Sequence, residues 1–183
     1  MRLDHIAYRV KDRVKTSKYF CDAFGCKVAD EFAIEFDDGS TAACQTLLPP
    51  EIRHPDVTLW EFKTLLTAPY GPIKCEYYAA PEIFVSDGPP GSIVGNWVAE
   101  RGGVGGVHHI AYQVDNVESK MKEWKEKGYA EFLSNDPLAC PGLVQVFTKP
   151  SELTGVIYEL IERTGKGFCK DNVKNLMEST KKL

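Results

Sequence analysis

A six-residue segment occurs twice. Residues 5–10 read His-Ile-Ala-Tyr-Arg-Val and residues 109–114 read His-Ile-Ala-Tyr-Gln-Val, 104 positions apart in a chain of 183. A repeat at that spacing points to two copies of one supersecondary unit that bury a shared core. Each copy opens with a strand. In the first, His5, Ala7 and Arg9 fall on one face and Ile6, Tyr8 and Val10 on the other; in the second, His109, Ala111 and Gln113 oppose Ile110, Tyr112 and Val114. A helix is expected after each strand. Val117, Met121 and Trp124 form a stripe at i, i+4, i+7 that Gly128 stops; Val14, Cys21 and Phe24 share a side in the first copy, which Gly25 stops. Helices on the Ile/Tyr/Val face leave both histidines on the opposite, open face.

More strands follow. Residues 143–148 and 155–161 are β-rich and separated by Lys149-Pro150-Ser151; residues 29–36 and 41–48 flank the turn Asp37-Asp38-Gly39. Residues 81–86 are expected to close the first unit. The organisation predicted is a first module over residues 1–91 with an insertion at about 49–80, a linker with a short helix over 92–106, a second module over 107–163, and a terminal helix over 164–183, with Asp171 as its N-cap.

Composition narrows the class. Hydrophobic residues make up 43% and aromatics 11%, enough for a packed core. A net charge of −4 offers no basic footprint for nucleic acid. No apolar run approaches bilayer-spanning length, and the chain opens Met1-Arg2-Leu3-Asp4 without a signal-peptide pattern, so a cytoplasmic protein is expected. Cys21, Cys26, Cys44, Cys75, Cys140 and Cys169 are scattered without a CxxC, which disfavours a zinc cluster and suggests reduced thiols.

Of four histidines, two occupy the same place in the two copies. Glu159 sits in the closing strand of the second copy between same-face neighbours Ile157 and Ile161. A carboxylate among apolar residues carries a desolvation cost unless paired or metal-bound. His5, His109 and Glu159 are therefore the candidate metal ligands. Two imidazoles and one carboxylate suit iron(II), zinc, manganese or cobalt and leave coordination positions for substrate or dioxygen. His108, one residue from His109, should point to the other face and act at the rim. His54 reads as an exposed loop residue. Glu82, and after it Glu61, are the first-module candidates for a fourth ligand or a base.

These residues resemble the vicinal oxygen chelate superfamily, which includes glyoxalases, methylmalonyl-CoA epimerases and extradiol dioxygenases. The resemblance is strongest to the catalytic half of the 4-hydroxyphenylpyruvate dioxygenases. The stretches at residues 145–150 and 158–163, Gly167-Phe168 followed by Asn172, and Gly102-Gly103 ahead of Val107-His108-His109 carry it. It implies an α+β fold in which tandem βαβββ modules form an open, cup-shaped, eight-stranded mixed sheet with helices outside. It also implies a substrate pocket containing Gln145 and Phe147, with His108 and Phe168 nearby. It departs from that pattern at His108, where those dioxygenases have glutamine, and at Val173, where they have phenylalanine.

The resulting expectation is a metal-dependent enzyme, iron(II) favoured, acting with dioxygen on a small α-keto or hydroxy acid that chelates through two oxygens. The alternatives are a metal-dependent isomerase, epimerase or glyoxalase-type lyase, and a non-catalytic small-molecule binding protein. A monomer or homodimer is expected. The terminal helix should lie over the metal site as a lid.

Overall fold

The computed structural model describes residues 1–50, 81–164 and 167–181. The first unit contains β1 (Arg2–Val10), α1 (Arg13–Phe24), β2 (Lys27–Glu35), β3 (Thr41–Leu48) and β4 (Glu82–Asp87). Helix α2 (Ile93–Glu100) leads into the second unit, with β5 (Gly105–Gln113), α3 (Val117–Glu126), β6 (Leu138–Cys140), β7 (Leu143–Phe147) and β8 (Ile157–Arg163). Helix α4 (Lys170–Ser179) ends the described chain.

All eight strands form one sheet, ordered β2-β3-β4-β1-β5-β8-β7-β6 and curled into a half-barrel. The order is symmetric about the β1–β5 junction. β1 pairs antiparallel with β5, β1 runs parallel to β4, and β5 runs parallel to β8. The two copies of the repeated segment thus lie side by side at the centre, and each brings its histidine to the same wall.

The convex face is covered as the periodicity predicts. Val114, Val117, Met121, Val146 and Leu160 form one buried cluster under α3, with Trp124 against it. Val10, Cys26, Leu47 and Val85 form its counterpart under α1, with Tyr8 and Phe20. The buried stripe of α1 differs from the sequence expectation. Ser17 is its buried residue, whereas Val14 and Phe24 are 61% and 54% exposed. Helix α1 starts at an Asp12 cap, whose carboxylate accepts from the Lys15 amide, and stops at Gly25, in the left-handed region at φ 71°.

The concave face is closed by α4. Val173 and Met177 pack with Phe32, Ile34, Phe84 and Val94 in one cluster, and Leu176 packs with Phe147 and Ile157 in another. The helix therefore lies across the cup mouth. Its N-cap is Cys169 and not Asp171, which falls in the first turn, where a negative charge suits the helix dipole.

Candidate metal centre

Two irregularities in the central ladder shape the site. Pairing between β1 and β5 slips between Leu3 and His5, and again between Ala7 and Tyr8. Asp4 is the extra residue on β1 at the first slip, and His108 is the extra residue on β5 at the second, opposite which Ala7 pairs with His109 and Tyr8 with Val107. A bulge turns a residue that regular alternation would send to the other face. Asp4 and His108 are themselves 104 positions apart, so each copy carries a bulged residue just before its histidine. The expectation that His108 points away from the cup is thus corrected: its side chain is buried, lines the cavity and packs against Phe147 and Trp97.

The bulged residues orient the histidines. His5 Nδ1 donates to Asp4 Oδ1 at 2.8 Å, and Arg163 Nη2 donates to the same oxygen at 2.8 Å. His109 Nδ1 lies 2.8 Å from His108 Nδ1. With both Nδ1 atoms engaged, both Nε2 atoms turn inward. His5 Nε2 and His109 Nε2 are 3.2 Å apart, and Glu159 Oε2 is 3.3 Å from the first and 3.1 Å from the second. Phe168 and Phe147 wedge the rings, at 5.0 Å from His5 and 4.6 Å from His109.

The other oxygen of Glu159 is held separately. Gln145 Nε2 donates to Glu159 Oε1 at 2.5 Å, and Asn172 Nδ2 donates to Gln145 Oε1 at 3.2 Å. Helix α4 thus reaches the carboxylate through one relay. Glu159 is 1% exposed and lies between the buried Ile157 and Ile161.

Electrostatics follow from this packing. Burial opposes ionisation of Glu159, but His5 and His109 outweigh it and hold the carboxyl well below its usual range. Burial likewise opposes the His5 imidazolium, yet Glu159 and Asp4 raise it to about 9. His109 moves down, because burial outweighs Glu159 and His5 adds repulsion. His108 is pushed down further, by burial, then Arg9, His109 and Arg101.

The donor set fits a divalent ion. Donors about 2.1 Å from a metal lie about 3.0 Å apart in octahedral cis positions and about 3.4 Å apart in a tetrahedron. The observed separations of 3.1–3.3 Å fall between these. Among the described residues these three side chains form the only such cluster.

The first module supplies no fourth ligand among the described residues. In β8, Glu159 pairs with Ala111; in β4, the residue paired with the equivalent Ala7 is Phe84. Phe84 therefore occupies the place that mirrors Glu159. Glu82 pairs with His5 but adds no oxygen to the cluster. Glu61, His54 and most of the expected insertion lie outside the described residues.

The three donors line one cavity. Gln145, Phe147, His108, Phe168 and Val173 line it, along with Leu176 and Met177. Asp4, Arg163 and Phe84 were not anticipated, and neither was Arg9, which also lines the cavity.

A family model of the glyoxalase/bleomycin resistance protein/dioxygenase superfamily matches residues 2–150. Mitochondrial methylmalonyl-CoA epimerase of Mus musculus is 24% identical over 159 residues, which cover 87% of this chain and 71% of that protein. Methylmalonyl-CoA epimerase from Mycobacterium tuberculosis superposes with a TM-score of 0.61 at 17% identity, covering 90% of this chain and 89% of that one. A mutant 4-hydroxymandelate synthase from Streptomyces coelicolor gives a TM-score of 0.73 at 18% identity, covering 99% of this chain but 53% of that one. The two structural likenesses establish the fold, and the family match extends over most of the sequence: this chain belongs to the glyoxalase/bleomycin resistance protein/dioxygenase superfamily.

Proposed function

We propose that the chain is a metal-dependent enzyme that holds a small substrate through two adjacent oxygens and moves a proton at the neighbouring carbon, as an isomerase, epimerase or lyase does. The observation that carries the reading is the convergence of His5, His109 and Glu159 at a mostly apolar cavity. The similar proteins named methylmalonyl-CoA epimerase support this class over the oxygen-dependent one expected from sequence. A divalent ion held by the three donors would stabilise negative charge developing on a chelated carbonyl oxygen. The chain's own residues do the rest. Asp4 and His108 fix the imidazoles with Nε2 inward, and Gln145 fixes Glu159. Phe84, Phe147, Val173 and Leu176 exclude water, which strengthens every electrostatic interaction inside. Glu82 and, after it, Glu61 are the candidate bases from the first module.

One observation favours a second reading. Phe84 in the place that mirrors Glu159 leaves, among the described residues, a centre of three protein donors, with room for a chelated substrate and dioxygen on iron(II).

The test is solvent exchange. The protein is loaded in turn with cobalt, manganese, zinc or iron(II) and incubated in D2O without oxygen, with a panel of 2-oxo acids and 2-methyl acyl thioesters. Metal-dependent deuterium incorporation next to the carbonyl is the expected result. No exchange there, with oxygen uptake in a parallel aerobic incubation of the iron(II)-loaded protein, would shift the assignment to the second reading. Substrate binding with neither reaction would leave a binding protein and overturn both.

A further inference from the structure

Arg9 is buried, and among the described residues it has no counter-ion. It follows His5 and Ala7 on the concave face of β1, so its Cα lies about 13 Å along the strand from His5. It is 2% exposed and lines the same cavity as the three donors. Its Nη2 donates to Thr180 Oγ1 at 3.0 Å, but Nη1 has no hydrogen-bond partner. Among the described residues no carboxylate pairs with it, and Arg101, another cation, adds repulsion. Trp97 offers only a ring face, 5.9 Å from the guanidinium carbon.

Two further donors stand beside it. Ser86 is its register partner on β4, is 1% exposed, and makes only a long 3.4 Å bond to the Tyr8 carbonyl. His108 Nε2 is buried with no partner. When a metal takes the lone pair of His109 Nε2, its Nδ1 carries the proton and donates to His108 Nδ1, which leaves Nε2 of His108 as an N–H donor. A guanidinium, a hydroxyl and an imidazole line one cavity; among the described residues Arg9 Nη1 and His108 Nε2 have no partner, and the Ser86 hydroxyl has only its long bond.

A buried charge without a partner is unfavourable, and an unmade bond at a buried donor costs its full desolvation. Both penalties vanish if an anion enters the cavity, and a guanidinium edge matches a carboxylate or a phosphate. We propose that Arg9, assisted by Ser86 and His108, binds a second anionic group of the substrate, so that the substrate is a small diacid or phosphorylated acid with its chelating end at His5, His109 and Glu159. This deepens the proposed function and rests on it for the chelating end only.

The experiment has two arms. In the first, the thermal midpoint of the metal-free protein is followed with glutarate or inorganic phosphate, against sodium chloride of equal ionic strength. Wild type is compared with Arg9→Met, which keeps an apolar stem, and with Arg9→Lys, which keeps the charge. The expected result is a saturable rise in wild type, part of it kept in Arg9→Lys and none in Arg9→Met; the stronger of the two anions identifies carboxylate or phosphate as the class. No rise in wild type, or a rise that survives Arg9→Met, overturns the assignment. In the second arm the cobalt-loaded protein is titrated with 2-oxoglutarate and 2-oxoadipate, and with the monoacids 2-oxopentanoate and 2-oxohexanoate, by visible absorption. A diacid of the right length should bind about tenfold or more tightly than its monoacid in wild type, and Arg9→Met should remove that difference. Equal affinities in wild type, if glutarate is the favoured anion, overturn the assignment. If no 2-oxo acid perturbs the cobalt bands while the first arm succeeds, the chelation reading fails and the Arg9 assignment stands.

Discussion

Replacing Asp4 with Asn isolates the orientation of one candidate ligand, His5. The carboxylate accepts two bonds of 2.8 Å, one from His5 Nδ1 and one from Arg163 Nη2, and it is buried. Burial opposes its ionisation, but the His5 bond and Arg163 outweigh it and keep its pKa low. The amide keeps an acceptor oxygen of the same shape but loses the charge that makes His5 a stronger base. Removing such an outer partner typically lowers metal affinity about 10–100-fold, or about 1.4–2.7 kcal/mol. The metal-free protein should lose a further about 1–3 kcal/mol of stability, because the buried Arg163 guanidinium then faces a neutral group. Affinity is measured by competition with a chromophoric chelator and stability by urea denaturation. Unchanged zinc and cobalt affinity in Asp4→Asn would refute the argument that this contact sets the ligand's basicity.

The remaining predictions concern packing, pH and the covering helix. Leu160→Ala empties a fully buried position between Val117 and Val146 and should cost about 2–5 kcal/mol in urea, with metal affinity unchanged. His5, raised from 6.5 to about 9, contributes stability to the metal-free protein that is fully present below pH 6.5 and lost as pH rises through about 9. A denaturation series from pH 6 to 10 should show that decline. Because a metal must displace the same proton, apparent metal affinity should rise with pH over that window. Truncation after Thr164 removes Val173, Leu176 and Met177 from the cup mouth and Asn172 from Gln145. The truncated chain should still bind one metal but lose turnover; full turnover would show that α4 is not a functional cover.

The meeting of His5 and His109 was legible because period-2 alternation places both on one face and the repeat makes that coincidence visible. Both helix coverings of the convex face follow from the same pattern. Asp4 and His108 were read wrongly or missed because alternation assumes a regular ladder, whereas both sit at bulges that exist only when β1 meets β5. The contrast between Glu82 and Phe84 depends on how β4 aligns with β1, which no property of either strand alone specifies. The face of α1 was misassigned because Ser17, a small polar residue, is what the close approach to the sheet admits, while Val14 and Phe24 stay exposed. Arg9 was visible as a charge on the cup face, but its lack of a counter-ion among the described residues is a tertiary fact.

The central claim is that His5, His109 and Glu159 hold one divalent ion. Elemental analysis of the purified protein after loading and desalting tests it directly, with His109→Ala in parallel. The account predicts one tightly held metal per chain in the wild type and none in the variant, with the variant's fold intact by circular dichroism. Metal absent from loaded wild type, or retained in full by folded His109→Ala, would contradict it.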